Sequence, residues 1–120
     1  MDSYAAHFWE GCARGELRYQ RCRACGAAQF HARAFCARCA GAQLDWCSAQ
    51  GTGTVYALTR VERAPGDAFR ALVPYVIALI DMDEGWRMMA HAASGLAIGA
   101  RVRAGFFEHD GRRLPRFEPA

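Results

Sequence analysis

The chain has 120 residues, 52% of them hydrophobic and 22% charged, with a formal net charge of +3. This is the composition of one compact globular domain or two very small ones. It excludes a polybasic nucleic-acid tail. It also excludes a membrane-spanning helix, because the longest apolar run, from Ala71 to Ile80, is half the needed length and contains Pro74.

The N-terminus carries Asp2, Glu10 and Glu16 and no apolar stretch of the kind a secretory signal needs, so a soluble, cytoplasmic protein is expected. Tyr4, Phe8, Trp9 and Cys12 recur at helical spacing. Ser3 suits the N-cap and Gly15 suits the C-terminal stop. Gly11 weakens the interior by roughly 1 kcal/mol relative to alanine. A short helix with a bulky aromatic edge is marginal alone, so its face must dock. The surface it docks on is either its own domain or a partner.

Between Arg21 and Cys39 the chain reads RCRACGAAQFHARAFCARC. Cys22 and Cys25 form one Cys-x-x-Cys pair, and Cys36 and Cys39 form another, ten residues further on. Each pair can wrap a tight turn with both sulfurs facing one point, and two such turns supply four thiolates for tetrahedral zinc. In a reducing compartment this pattern favours metal over disulfides. Iron in the same cage is the minor alternative. Four thiolates leave no open position, so the metal is expected to be structural, one per chain. Its binding, roughly 10–16 kcal/mol, would stabilise a segment too small to fold alone. His31 lies between the pairs and is a weaker ligand candidate. Gly26 follows the first pair, whereas Ala40 stands at the equivalent place in the second, which predicts a less regular knuckle. Cys12 and Cys47 have no activating motif and read as small buried hydrophobes.

After the ribbon the period changes to that of strands. TVYALTRVE places Val55, Ala57, Thr59 and Val61 on one face. A loop with Pro65, Gly66 and Pro74 leads to YVIALIDM, which ends at the turn Asp83-Glu84-Gly85. WRMMAHA follows, then RVRAGFFEH, the turn Asp110-Gly111, and a last strand from Arg113 to Phe117. Asp81, Asp83 and Glu84 read as turn chemistry, Trp86 as a barrel cap, and His91 as a packed core histidine. Five short strands suggest an antiparallel OB-fold barrel. The expected architecture is mainly β: an N-terminal helix over residues 1–15, a four-cysteine zinc ribbon over 16–48, and a five-stranded barrel over 49–120.

FWEGCARGEL, LRYQRCRACGAAQF, WCSAQGTGTVYALTRV, PYVIALIDMDEG, IGARVRAGF and LPRFEP together resemble the zinc-ribbon OB-fold proteins associated with acyl-CoA enzymes, long catalogued as a domain of unknown function. The resemblance runs over nearly the whole chain, and the departures are Ala40 and Cys12. It implies a non-catalytic accessory subunit of lipid, steroid or polyketide metabolism. The partner it implies is a thiolase-like enzyme, including synthases and retro-aldolases of thiolase fold, or a MaoC-type hydratase. The subunit would help bind or pass on an acyl-CoA. It also implies that the helix, through Phe8 and Trp9, and the ribbon form the partner contact.

CoA needs arginine at its phosphates and an apolar groove for its arm. The loop from Arg63 to Pro74 offers Arg63, Phe69 and Arg70, and these are the candidate CoA-binding residues. Arg112, Arg113 and Arg116 are weaker phosphate candidates. His7, His31, His91 and His109 lie far apart with no nucleophile pattern, so no catalytic residue is expected. The alternative function is a single-stranded nucleic-acid binder, since ribbons and OB barrels both serve that role. The few strand aromatics and the modest charge argue against it.

Overall fold

The N-terminal helix α1 spans Ser3–Ala13 and stops where the sequence places its glycine. Gly15 has a φ of 79°. The Gly15 N–H donates to the Cys12 carbonyl and the Glu16 N–H to the Gly11 carbonyl, which closes a Schellman motif. Gly11 has a packing reason: a Cβ there would lie 2.8 Å from Cγ and Cδ of Arg18, whose side chain crosses the helix at that point. The structure is a computed structural model describing residues 3–30, 33–63, 70 and 72–120. His31 and Phe69 lie outside the described residues.

Three strands form the ribbon sheet: β1 (Arg18–Cys22), β2 (Ala28–Gln29) and β3 (Leu44–Ser48). They are ordered β2-β1-β3, with β1 pairing antiparallel to both neighbours. Five further strands close a barrel: β4 (Thr52–Val61), β5 (Tyr75–Met82), β6 (Arg87–Ala92), β7 (Arg101–His109) and β8 (Arg112–Pro119). The barrel order is β4-β5-β6-β8-β7, with β7 returning to β4 through Thr52, Gly53 and Thr54. This is the OB arrangement. One pair departs from antiparallel: β6 and β8 run parallel, with His91 opposite Arg116 and Ala92 opposite Phe117. The β7–β8 hairpin turns at Asp110 and Gly111, both with positive φ, as a two-residue turn requires.

The even apolar face expected along β4 is broken. The pairing with β5 shifts register between Val55 and Ala57, a bulge that leaves Tyr56 half exposed while Val55 is buried. Ala57 consequently opposes Leu79, on the outward row of β5, rather than joining Val55 inside.

One core runs through all three parts. Cys12 from the helix, with Leu17 and Tyr19 from the ribbon side, joins Val55, Ile80, Met82, Met88, Val102 and Phe117 of the barrel in a single buried cluster. Trp86 is the joint. Its ring stacks on Tyr19 with centroids 5.1 Å apart and on Phe30 at 5.6 Å. Cys12 is fully buried, and desolvation pushes its thiol up to about 12, as expected of an inert hydrophobe. No helix among the described residues is long and apolar enough to cross a membrane.

Candidate metal centre and barrel-mouth groove

The four predicted ligands converge. The sulfurs of Cys22, Cys25, Cys36 and Cys39 all lie within 4.8 Å of one another. Cys22 and Cys39 are 3.6 Å apart, as are Cys25 and Cys36. A tetrahedron with Zn–S bonds of about 2.3 Å has edges of about 3.8 Å, so the donor set and its spacing fit zinc. Both knuckles close in the same way. The Gly26 N–H donates to the Cys22 carbonyl and the Ala40 N–H to the Cys36 carbonyl, each at 2.9 Å. Ala40 adopts φ 63° where the first knuckle has Gly26 at 77°, so the irregularity is an alanine held in the left-handed region. Gly41 is needed for space: a Cβ there would lie 3.2 Å from the Cys39 sulfur.

Backbone N–H groups prepare the thiolates. Those of Cys39 and Arg38 pull Cys36 down to about 6, and those of Cys25 and Ala24 lower Cys22. The Gly41 N–H acts on Cys39 in the same sense, but the hydrogen bonds that its thiol donates to Cys22, Cys25 and Cys36, together with desolvation, outweigh it and hold that thiol up at about 12. Four thiolates this close repel one another, and a bound dication removes that conflict.

Two glutamines, which the sequence did not mark, brace the segment between the cysteine pairs. Gln20 is buried, and its Oε1 accepts from Gln29 Nε2 at 2.7 Å and from the Arg33 N–H at 3.0 Å. Its Nε2 donates to the Arg33 carbonyl at 3.2 Å. Gln29 Oε1 accepts from the Ala37 N–H beside Cys36. Their signal in the sequence was only two polar residues at strand positions.

The aromatic edge of α1 packs on its own chain. Phe8 meets Phe30 edge-on at 5.2 Å, and the Arg112 guanidinium lies 4.9 Å over the Trp9 ring. His7 stacks on Trp46 at 4.2 Å. Both Phe8 and Trp9 are half-buried against the shared core, so the helix docks on its own domain and keeps part of each ring exposed. Two of the three C-terminal arginines are likewise committed. Besides Arg112 on Trp9, Arg113 lies over Phe106 and donates to the Ala13 carbonyl at 3.3 Å.

The third, Arg116, lines a groove of about 420 Å³ at one mouth of the barrel. Arg60 contributes a second guanidinium from β4, and His91 and Ser94 add polar atoms. Leu72, Pro74, Tyr75, Val76, Ala92 and Phe107 supply the apolar walls. Among the described residues no carboxylate lines it. From the connection between Arg63 and Pro74, Leu72 and Pro74 reach this groove. Arg63 and Arg70 are exposed on the same connection but are not among the lining residues. His91 is not a core residue. It is half-buried between Tyr75 at 5.0 Å and Phe107 at 5.2 Å, and burial, with the charges of His109 and Arg116, lowers its pKa.

Comparison with known proteins extends this picture. The family description "ChsH2, rubredoxin-like zinc ribbon domain" matches residues 9–45, and "ChsH2, C-terminal OB-fold domain" matches residues 46–107. A solved chain described as "Ltp2-ChsH2(DUF35) aldolase" superposes with a TM-score of 0.86 at 30% identity, covering 99% of this chain and 96% of that one. A DUF35 protein of unknown function from Sulfolobus solfataricus shares the fold at a TM-score of 0.69 and 17% identity, over 100% of this chain and 87% of that one. A DUF35 domain-containing scaffold protein of Methanocaldococcus jannaschii is 34% identical over 72% of this chain and 64% of its own length. The alpha subunit of 3-oxo-4,17-pregnadiene-20-carboxyl-CoA hydratase from Mycobacterium tuberculosis is 32% identical over 95% of this chain and 37% of its own. This chain thus spans about two thirds of one relative and just over a third of the other. With both halves matched in order, and with the ribbon cysteines and the OB strand order in place, the chain belongs to the ChsH2-type zinc-ribbon and OB-fold family, DUF35.

Proposed function

We propose that the chain is a non-catalytic accessory subunit of an enzyme acting on acyl-CoA in lipid or steroid metabolism. In this reading it binds a thiolase-fold enzyme or a MaoC-type hydratase and helps hold or pass on the thioester. The observation that carries the proposal is the likeness, over 99% of the chain, to a protein solved as part of an aldolase pair. The relative named as a CoA hydratase subunit supports the same class of substrate. Internal chemistry agrees. A metal held by the four sulfurs would have no open ligand position, and the barrel-mouth groove is lined by two guanidiniums and apolar walls.

The contact to the partner is proposed to run over the helix and ribbon, using the edges of Phe8 and Trp9 that remain exposed. The acyl-CoA is proposed to run along the connection that holds Arg63, Phe69 and Arg70 toward the barrel mouth. The test is affinity purification of the tagged protein from its native host. A thiolase-fold enzyme or a hydratase recovered in near-equal amount is the expected result. Recovery of RNA with ribosomal or helicase proteins, lost on nuclease treatment, would overturn the proposal in favour of nucleic-acid binding.

A further inference from the structure

We propose that the barrel-mouth groove is a phosphate-anchoring subsite for the phosphoadenosine end of CoA, with Arg60 and Arg116 on its phosphates and the base against Tyr75 and Phe107. This rests on the acyl-CoA reading above and adds which end of the molecule the chain itself holds. The three parts of CoA make different demands. An acyl chain needs an enclosed apolar cavity. The pantetheine arm is narrow, flexible and neutral, and two guanidiniums give it nothing to pair with. The nucleotide end carries a 3′-phosphate and a pyrophosphate beside a flat aromatic base. Guanidinium forks match phosphate oxygens, and aromatic rings match the base.

The groove has this third character. Its volume of about 420 Å³ falls within the range of about 300–1,000 Å³ typical of ligand sites. Arg60 and Arg116 enter from β4 and β8, so their positions are set by barrel strands rather than by loops. Among the described residues Arg60 pairs with Glu62, at 3.4 Å, an exposed residue that an incoming phosphate can displace. His91, between the two aromatic walls, provides an internal reporter. Tyr75, Phe107, His109 and Arg116 are among the groups facing it, and burial, then the coulombic influence of His109 and Arg116, disfavours its protonation. A phosphate placed at Arg116 offsets that charge and raises the His91 pKa.

The test follows the ring signals of the zinc-loaded full chain by NMR while CoA, dephospho-CoA and pantetheine are added in turn. CoA is expected to shift His91, Tyr75 and Phe107 and to move the His91 titration to higher pH. Dephospho-CoA should do so several-fold more weakly, and pantetheine not at all. Arg116→Gln and Arg60→Gln should each weaken CoA about tenfold. Both sites are exposed, so zinc content and the remaining spectrum should be unchanged. Glu62→Gln should tighten binding two- to threefold by freeing Arg60. Pantetheine shifting the same rings as strongly as CoA would overturn the assignment, as would inorganic pyrophosphate matching CoA, unaltered affinity in both arginine variants, or no shift at several millimolar CoA. The partner purification does not depend on these outcomes, so the accessory reading and the subsite can fail separately.

Discussion

Ala40 and Gly41 set the quality of the second knuckle. Ala40 sits at φ 63°, where an L side chain costs roughly 1 kcal/mol that glycine avoids. Ala40→Gly is therefore expected to stabilise the zinc-loaded protein by about 1 kcal/mol and to raise its melting temperature by a few degrees. An unaltered or lower value would mean that chain entropy outweighs the relieved strain. Gly41→Ala works in the opposite direction. Its Cβ would press on the Cys39 sulfur at 3.2 Å and approach that of Cys22 at 3.6 Å, next to the N–H that bonds Cys39. Zinc affinity, measured by competition with a chromophoric chelator, should fall about tenfold, the lower bound for disturbing groups that orient metal ligands. Retention of full affinity would show that the knuckle can give way freely.

Strand β4 closes the barrel because Gly53 lets two neighbours approach it, with Met82 of β5 on one side and Val102 of β7 on the other. A Cβ at that position would sit 2.6 Å from the Asp81 carbonyl oxygen and 2.7 Å from Cγ2 of Ile80, both held by the sheet and the core. Gly53→Ala should cost about 2–3 kcal/mol, read as a lowered denaturation midpoint. Nearby, Asp83 at the β5–β6 turn accepts from Arg101 of β7 at 2.7 and 2.8 Å and from the Thr52 hydroxyl at 2.7 Å. The Arg101 pairing, then the Thr52 bond, holds its carboxyl well below the usual carboxylate range. A folded-state pKa below the unfolded one contributes stability that is present above about pH 4 and is lost as the pH falls further. The melting-temperature gap between the parent and Asp83→Asn should accordingly be full at pH 6 and narrow steadily toward pH 2. A gap constant with pH would remove Asp83 from the acid response. These elements also show what the sequence could reveal. Gly15, Gly26 and Asp110-Gly111 announced the helix stop, the first knuckle and the last hairpin because each is a local backbone requirement. The bulge at Tyr56, the parallel β6–β8 pairing and the Gln20 brace depend on strands far apart in the chain, and no local pattern records them. For the same reason Arg113 and Arg116, three residues apart, could not be told apart. Barrel register sends the first back to the helix carbonyl of Ala13 and the second into the groove.

At the scale of the whole molecule, the ribbon and barrel share one core and are therefore expected to melt together. Trp86 enters from the barrel and lies between Tyr19 and Phe30 of the ribbon side, and Phe30 in turn supports Phe8 of the helix. Arg21 fastens the same joint, donating to the carbonyls of Gly26 in the ribbon and Glu84 in the barrel turn. Metal binding to the native ribbon therefore stabilises the barrel by linkage. Stripping zinc with a chelator is expected to lower the temperature at which barrel probes unfold, reported by the methyl signals of Ile80 and Val102, both fully buried and distant in sequence from the cysteines. Ribbon and barrel signals should disappear in one transition in the zinc-loaded form. In the stripped form the barrel should melt earlier, with the emission of Trp86 shifted to the red as its stacking partners leave. Barrel signals that melt at the same temperature with and without zinc would mean the Trp86 joint carries no coupling. The metal would then stabilise the ribbon alone.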